Sequence, residues 1–191
     1  LETFHRAYPG IKVNVSNAPT PETIRSLEEG KIDFGVVTTP FSSRNGMKLT
    51  RVKPIENVFI AGSSFSHLKG RVLEYEELGS LPCIFLEKTT STRRFMDSFL
   101  MEKNIELTPE FELATSDMIV QFAKRNMGIG CVMSGFAEEA IKREEVFALT
   151  FTEEMPARYI CVVTGESNLI SMAGRSLLDM ITAGRETEWG I

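Results

Sequence analysis

The hydrophobic and polar positions of residues 113–135 change from a helical pattern to a strand-like one, in the segment LATSDMIVQFAKRNMGIGCVMSG. Apolar side chains recur first at intervals of three and four residues, which is typical of one face of an amphipathic helix. This apolar stripe consists of Ile119, Phe122, Ala123 and Met127. Thr115 and Ser116 precede the stripe and are residue types that cap helix N-termini. The pattern therefore predicts a helix that begins at this polar pair.

Two glycines follow this predicted helix. Gly128 stands where a left-handed residue would stop it, so we expect a positive φ at this position. The uninterrupted apolar run of residues 129–133 predicts a strand that is buried on both faces. We expect Gly130, within this run, to lie where any side chain would crowd the neighbouring helix.

The rest of the chain alternates between the same two patterns. Alternating or continuous apolar runs predict strands over residues 11–15, 34–37, 49–52, 58–61, 81–86, 110–114, 146–151 and 159–163. Helical spacing predicts helices over residues 1–8, 74–78, 93–103, 136–142 and 169–181. Another helix should have Thr20 as its N-cap, Pro21 as its first residue and Gly30 at its end. This order predicts an α/β fold, with parallel strands and right-handed crossovers in its first part.

Two breaks in the pattern indicate two α/β lobes. The serine-rich residues 62–70 form a candidate hinge, and a second break lies near residues 165–168. We expect the chain to cross between the lobes at both breaks, and the last helix to return to the first lobe. The first lobe would comprise residues 1–64 and 165–191, and the second lobe residues 65–164. Residues 185–191 show no clear pattern and are predicted to be a frayed tail.

Composition and charge exclude several classes of function. The net charge of −5 gives no basic face for gripping nucleic acid, and no apolar run approaches the ~20 residues that span a membrane. Hydrophobic residues make up 42% and charged residues 25%, as in ordinary globular proteins. Cys83, Cys131 and Cys161 each lie in an apolar run, and an odd number of buried thiols favours a reducing cytoplasm.

The sequence shows no arrangement of residues that indicates catalysis. The two histidines, His5 and His67, are far apart, and the usual zinc, thiol, nucleophile-elbow and phosphate-loop motifs do not occur. Pairs of acidic residues stand in polar contexts that are typical of a solvated face. We therefore predict no catalytic residues, no metal ligands, no cofactor and no enzyme activity.

Hydroxyl side chains instead mark four joints between apolar runs and the segments that follow. These residues are Thr20, Thr38, Thr39, Thr90, Ser91, Thr92, Thr115 and Ser116. Helix N-termini offer free backbone N–H groups and partial positive charge, so such joints suit a small polar or anionic ligand, most naturally a carboxylate. The competing interpretation is that these residues only cap helices, which is the commoner role of Ser and Thr. Arg93 and Arg94 follow the joint at residues 90–92 and could add positive charge to it, but we expect both to face solvent.

Two passages resemble the effector-binding domain of LysR-type transcriptional regulators. One is residues 113–135; the other is FHRAYPGIKVNVSNAPTPETIRSLEEGKIDFGVV, with the pattern F-x-x-x-YPG, strand, polar turn, L-x-x-G-x-x-D and strand. The order and spacing fit to about residue 182. The family domain also has a strand and most of a helix ahead of the position of Leu1. The resemblance implies two Rossmann-like lobes with a ligand cleft, similar to type 2 periplasmic binding proteins.

The resemblance also implies how the protein works. The joints that match Thr20, Thr38, Thr90 to Thr92 and Thr115 would line the effector cleft, and DNA would be bound by a separate N-terminal helix-turn-helix. The domains would form a homodimer or a dimer of dimers, with the helix over residues 116–127 against a first-lobe helix of the partner. A solute-binding protein of a transporter is the main alternative, because it shares the fold. An enzyme with the same fold is a third possible function.

Overall fold

The computed structural model describes residues 1–41, 46–165 and 170–183. The chain forms two compact units. Unit 1 consists of Leu1–Pro54 and Tyr159–Ile191, and unit 2 consists of Ile55–Arg158. The sequence expectations for residues 166–168 and for the tail over residues 185–191 lie outside the described residues.

Helices and strands alternate along most of the chain. The described residues form the α-helices α1 (Glu2–Ala7), α2 (Thr20–Glu28), α3 (Ser91–Glu102), α4 (Ser116–Lys124), α5 (Ser134–Lys142) and α6 (Met172–Thr182). Their strands are β1 (Gly35–Thr38), β2 (Met47–Ile55), β3 (Asn57–Ala61), β4 (Val72–Leu73), β5 (Cys83–Leu86), β6 (Phe111–Leu113), β7 (Ile129–Met133), β8 (Phe147–Ala148), β9 (Thr150–Phe151) and β10 (Arg158–Gly165). Short 3₁₀ helices occupy Ser63–Leu68 and Tyr75–Ser80.

Unit 1 is built on a three-stranded sheet in the order β1-β10-β2. Strand β1 pairs antiparallel with β10, and Val37 lies opposite Cys161. Ile24 and Leu27 of α2 pack with Val37 in the apolar core of this unit. Asp33 holds the start of α6, because its Oδ1 accepts a hydrogen bond from the backbone N–H of Ser171 at 2.8 Å. The aspartate of the L-x-x-G-x-x-D pattern therefore has a structural role in this chain.

Unit 2 is built on a five-stranded sheet in the order β6-β5-β7-β3-β8. Strand β5 runs parallel to both β6 and β7, whereas β3 runs antiparallel to β7 and β8. Alternate residues of each strand point to opposite faces. One face packs against α3 through Phe85, Met96 and Phe99. The other packs against α4 and α5 through Ile84, Ile119, Ala137 and their neighbours. Unit 2 is thus a sheet with helices on both faces, as a Rossmann-like lobe requires.

The strand predicted over residues 11–15 is wrong. These residues have no strand structure, and Val13 and Val15 are exposed. Their alternating pattern suits a half-buried strand, but a strand forms only where a neighbour offers ladder hydrogen bonds. In the described part of unit 1, the sheet has the order β1-β10-β2, and residues 11–15 pair with none of these strands. The parallel strands predicted for this part of the chain are wrong as well, because residues 11–15 form no strand and β1 pairs antiparallel with β10.

Two further predicted boundaries differ from the structure. The N-cap of α2 is Pro19, so Thr20 is the first helical residue and Pro21 the second. The carbonyl of Pro19 already accepts hydrogen bonds from the N–H groups of Glu22 and Thr23, both at 3.0 Å, which moves the helix start one residue back. The single strand expected over residues 146–151 divides into β8 and β9, because β8 pairs with β3 and β9 with β4.

The end of α4 shows which residue reverses the chain. Asn126, with φ of 61°, is the left-handed residue after the helix, so the assignment of this role to Gly128 is wrong. Gly128 does have a positive φ, 155°, as expected, but it serves to enter β7. A Cβ atom on Gly130 would lie 2.3 Å from Cγ2 of Ile119 in α4, which confirms the predicted crowding.

Candidate functional site

Three parallel strands of unit 2 end at the same side of the sheet, which we call the carboxyl edge. It is formed by the last residues of β5, β6 and β7, namely Leu86, Leu113 and Met133. Leu86 lies opposite Leu113, and the backbone N–H of Glu87 donates to the carbonyl of Leu113 at 3.0 Å. Helices α3, α4 and α5 begin shortly after these strands. Open α/β sheets bind small ligands beyond the carboxyl ends of their strands.

The first turn of α3 carries three of the predicted site residues. Thr90 is the N-cap, and its Oγ1 accepts a hydrogen bond from the N–H of Arg93 at 3.2 Å and donates to the carbonyl of Glu87 at 2.9 Å. The capping interpretation therefore holds for Thr90. Ser91, the first helical residue, is half-buried, and Thr92 is buried. Ser91 and Thr92 follow the cap, at positions whose backbone N–H groups point out of the helix end.

Thr92 contacts an arginine that the sequence did not single out. Arg158, at the start of β10, is only 2% exposed, and its Nη2 donates to Oγ1 of Thr92 at 2.9 Å and to Oδ1 of Asn57 at 3.1 Å. The guanidinium also lies over the ring of Phe95, 4.8 Å from the ring centre. Removal from water lowers the pKa of Arg158 to about 10, so the side chain keeps its charge at neutral pH.

Arg93 is a second buried arginine, which corrects the expectation that it faces solvent. Its Nε donates to both carboxylate oxygens of Asp97, at 2.8 and 2.9 Å, and its Nη1 donates to Glu112 at 2.8 Å and to the carbonyl of Leu86 at 2.9 Å. Burial alone would lower the pKa of Arg93, but the hydrogen bonds to Glu112 and Asp97 outweigh it and raise the pKa. Arg94 is exposed, as predicted.

The first turn of α4 repeats the arrangement of α3. Thr115 is the N-cap, as predicted, and its Oγ1 accepts a hydrogen bond from the N–H of Met118 at 3.4 Å. Ser116 is the first helical residue and is buried. Because β5 and β6 are adjacent and parallel, the structure brings the first turns of α3 and α4 to the same carboxyl edge, one on each face of the sheet.

The remaining predicted site residues belong to unit 1. Thr38 ends β1 and is half-buried, whereas Thr20 is buried in the first turn of α2. Thr39 extends the pairing of β1 with β10, because its N–H donates to the carbonyl of Tyr159 and its Oγ1 accepts from the N–H of Tyr159, both at 2.9 Å. The hydroxyl of Thr39 therefore has a structural role.

The described residues also bear on metal binding and on thiol chemistry. They contain no group of three or more His, Cys, Asp or Glu side chains placed to hold a metal ion. The thiols of Cys83 and Cys131 are buried, and burial raises the pKa of each to about 12, so both stay protonated at neutral pH. None of the helices described is both long and apolar enough to cross a membrane.

Residues 1–185 match the model of the LysR substrate binding domain. The chain belongs to this family. DgcR, an HTH-type transcriptional regulator from a Pseudoalteromonas species, is 21% identical over 152 residues, which are 80% of this chain and 52% of DgcR. A probable RuBisCO transcriptional regulator of Thalassiosira pseudonana is 22% identical over 181 residues, which are 91% of this chain and 59% of that protein. The LysR-type chain thus spans about half the length of the curated relatives it matches.

Solved structures of similar domains have the same fold. The regulatory domain of CcmR from Synechocystis PCC6803, in complex with 2-PG, has a TM-score of 0.86 at 19% identity, covering 97% of this chain and 89% of that one. The effector binding domain of QuiR, in complex with shikimate, has a TM-score of 0.82 at 16% identity, covering 99% of this chain and 90% of that one. The predicted α/β fold, similar to type 2 periplasmic binding proteins, is confirmed.

The family membership decides between the functions that the sequence left open. The chain is an effector-sensing domain of the LysR type, as predicted, and the transporter solute-binding protein is not favoured. Sequence reasoning missed Arg158 and Asn57. Arg158 stands directly before the apolar run of β10. A charged residue in that position is equally typical of the end of an exposed loop, so the sequence did not mark it as buried. Only its contacts with Thr92 and Asn57, which lie far away in the sequence, distinguish it.

Proposed function

We propose that this LysR-type domain senses a small anionic effector, most naturally a carboxylate, at the carboxyl edge of unit 2. The observation that carries the proposal is that two helices, α3 and α4, begin shortly after the ends of the adjacent parallel strands β5 and β6. Ser91, Thr92, Thr115 and Ser116 lie in or directly before these first turns, and Thr90 caps α3. Backbone N–H groups and hydroxyls there would donate hydrogen bonds to a carboxylate and orient it.

The strength of such contacts sets the expected affinity. Each neutral hydrogen bond contributes roughly 0.5–1.5 kcal/mol, and a helix N-terminus adds roughly 0.3–1 kcal/mol for an anion. Two or three hydroxyls with two helix termini therefore contribute at most roughly 6–7 kcal/mol, which suits reversible binding in about the ten-micromolar to millimolar range. That range allows reversible sensing of a metabolite.

Two similar domains have been solved with a small molecule bound, which supports the proposal. The CcmR regulatory domain was solved with 2-PG and the QuiR effector binding domain with shikimate. We propose that this chain likewise binds its effector without transforming it, and that it is not an enzyme. DNA binding by the complete regulator, through a separate helix-turn-helix, belongs to the same proposal and would place the protein in the cytoplasm.

Replacing hydroxyls that do not cap helices tests the site. We expect Ser91→Ala with Ser116→Ala to weaken binding of the effector about tenfold, because each hydroxyl contributes roughly 0.5–1.5 kcal/mol. Both residues follow an N-cap, so Thr90 and Thr115 still hold α3 and α4. The measurement is calorimetric titration with a panel of small carboxylates that includes shikimate. Ser98→Ala, on the exposed side of α3, is the control. Equal affinity in the double variant and the control would place the effector elsewhere.

The unit 1 residues Thr20, Thr38 and Thr39 remain a prediction as effector-binding residues. Thr38 offers the clearest test, because it is half-buried and lies at the end of β1. Thr38→Val keeps the shape of the side chain and removes the hydroxyl. An unchanged affinity for the same carboxylate panel in this variant would remove Thr38 from the site.

Dimer formation through α4 is the other part of the proposal. Met118 is 44% exposed and Met127 is 37% exposed, whereas Val120 is buried in the core and cannot contact a partner. We expect the complete domain to form an isologous dimer and Met118→Glu to shift it towards the monomer, because the carboxylate would be buried against an apolar surface. Light scattering measures the molar mass in solution, which distinguishes the dimer from the monomer. Met101→Glu, at an even more exposed methionine of α3, should leave the dimer intact. A monomer before any substitution would contradict the proposal.

A further inference from the structure

We infer that Arg93 is a positioning residue of the effector site, because its guanidinium holds the first turn of α3 against the ends of β5 and β6 and connects it to the strand that leads into α4. This inference rests on the proposed function. It gives Arg93 a role in effector recognition that needs no contact with the effector and acts through the spacing of the two first turns.

Arg93 occupies a position where the helical pattern of α3 favours an apolar side chain. The buried residues Met96 and Leu100 follow it three and seven residues later, which places all three on the inward stripe of the helix. The side chain of Arg93 is only 3% exposed. Charged residues are rarely buried so fully unless they are paired, so the partners of Arg93 indicate its role.

The side-chain contacts of Arg93 join α3 to the ends of two strands. Its Nη1 donates to the carbonyl of Leu86, the last residue of β5, at 2.9 Å, and to Oε1 of Glu112 in β6 at 2.8 Å. Its Nε donates to both carboxylate oxygens of Asp97, one turn further along α3, at 2.8 and 2.9 Å. Because a guanidinium is planar and rigid, these hydrogen bonds fix the orientation of the first turn relative to both strands.

The backbone of Arg93 closes the same turn. Its N–H donates to Oγ1 of Thr90 at 3.2 Å. The N–H and the hydroxyl of Thr90 both donate to the carbonyl of Glu87, at 3.0 and 2.9 Å. Ser91 and Thr92 lie between the cap and Arg93, so a shift of the Arg93 side chain would displace these two site residues as well.

Glu112 extends the connection to the first turn of α4. Strand β6 ends one residue later, at Leu113, and Thr115 is the N-cap of α4. The carbonyl of Leu113 also accepts a hydrogen bond from the N–H of Glu87 at 3.0 Å. The ion pair of Arg93 with Glu112 and this backbone hydrogen bond therefore connect the two joints. A ligand that contacts both first turns needs their spacing to be fixed to within roughly 0.5 Å.

The charge of Arg93 is balanced by its own partners. Burial alone would lower the pKa of Arg93, but the hydrogen bonds to Glu112 and Asp97 outweigh it and raise the pKa. The guanidinium is thus neutralised within the fold, which suits a positioning role better than direct capture of an anion. A buried ion pair is often no more stabilising than apolar side chains of similar volume, but its hydrogen bonds hold the partners in one orientation.

Amide hydrogen exchange in the complete domain without ligand tests the connection between the two turns. Glu112→Ala removes the carboxylate between them and leaves Arg93 paired with Asp97. We expect the N–H groups of Arg93 and Met118, which donate to the two N-caps, each to exchange about tenfold faster, because both caps open more often. Faster exchange at Arg93 alone would overturn the inference, because the connection would then not reach α4.

Glu110→Ala is the matched control. Glu110 is exposed and stands two residues before Glu112, so this variant loses the same charge without losing the contact with Arg93. We expect both exchange rates to stay within about twofold of the original protein, since exposed charges interact weakly in salt solution. Equal acceleration in Glu110→Ala and Glu112→Ala would overturn the inference, because it would show only a general effect of charge on this edge of the sheet.

A second measurement reads the spacing of the two turns through ligands of increasing length. Malonate, succinate, glutarate and adipate are titrated calorimetrically into the original domain and the variants. We expect the original domain to prefer one length, since one methylene changes the fit to a rigid site by roughly tenfold or more. Glu112→Ala should reduce this preference about tenfold, and Glu112→Gln should reduce it less because it still offers Arg93 an acceptor. A change in stability alone would not alter which length binds best.

The outcomes separate this inference from the proposed function. The same length preference in Glu112→Ala as in the original domain would overturn the role of Arg93 and leave the proposed function standing. Binding of all four dicarboxylates by the original domain with equal affinity would also overturn that role, because no fixed spacing would then be sensed. Failure of the original domain to bind any dicarboxylate or any other small carboxylate would reject the proposed effector instead, and the exchange rates would then decide whether Arg93 connects the two turns.

Discussion

Gly128→Val should lower the free energy of unfolding by at least about 2 kcal/mol, because two independent effects oppose the new side chain. The backbone of Gly128 has φ of +155°, a conformation that β-branched residues rarely adopt. A Cβ atom there would also lie 2.7 Å from the carbonyl oxygen of Pro82 and 3.1 Å from Cγ1 of Ile84. The first contact is with backbone at the start of β5, which cannot move without disturbing its pairing with β7.

Equilibrium denaturation in urea measures this loss. Gly135→Val is the matched control, because a Cβ atom at Gly135 meets nothing within 4 Å and its backbone does not have a positive φ. We expect the control to change the free energy of unfolding by no more than about 0.5 kcal/mol, as exposed substitutions generally do. If Gly128→Val unfolds at the same urea concentration as Gly135→Val, Gly128 does not adopt this strained conformation in the turn between α4 and β7.

Arg93→Met should lower the free energy of unfolding by about 2–3 kcal/mol, because it removes the charge that joins three parts of unit 2. Arg93 links its own helix, through Asp97, to Glu112 of β6 and to the carbonyl of Leu86 at the end of β5. The methionine would fill much of the volume but leave the buried carbonyl of Leu86 without this donor. Asp97 and Glu112 are 40% and 41% exposed, so water would compensate part of their loss.

Arg94→Met is the control that distinguishes the loss of this network from the loss of any other arginine. Arg94 is exposed, and its Nη2 donates only to the carbonyl of Thr89 among the contacts described, so we expect a change below about 0.5 kcal/mol. Chemical denaturation of both variants under the same conditions gives the comparison. Similar small losses in the two variants would show that the ion pairs of Arg93 contribute little, as exposed pairs do.

Strong local patterns predicted the elements around the carboxyl edge. The stripe of Ile119, Phe122 and Ala123 marked α4, and Thr115 marked its N-cap, because helix periodicity and capping depend on residues close together in sequence. The apolar run that became β7 was equally clear. Gly130 was assigned correctly because a glycine within a buried strand beside a helix usually marks a close approach.

Other assignments failed where the outcome depended on a distant neighbour. Residues 11–15 alternate as a strand does, but no strand of the described residues pairs with them. Gly128 looked like the residue that stops α4, yet Asn126 takes the left-handed conformation, where its Oδ1 also accepts a hydrogen bond from the N–H of Ser64 at 2.8 Å. A contact across about sixty residues cannot be read from local pattern.

By itself, the sequence determined the α/β class, the order of most helices and strands, the LysR-type resemblance and the polar first turns of α3 and α4. The class, the element order and the polar first turns follow from periodicity, capping and spacing, which are properties of neighbouring residues, whereas the resemblance rests on the two passages that match the family pattern. The tertiary structure alone decided that the two first turns lie at one edge of the sheet, because this depends on β5 and β6 pairing in parallel. It also decided the different surroundings of two buried arginines. Arg93 meets carboxylates from its own helix and from β6, whereas Arg158 meets the first turn of α3 and Asn57 of β3, since packing brings together residues that are far apart in the sequence.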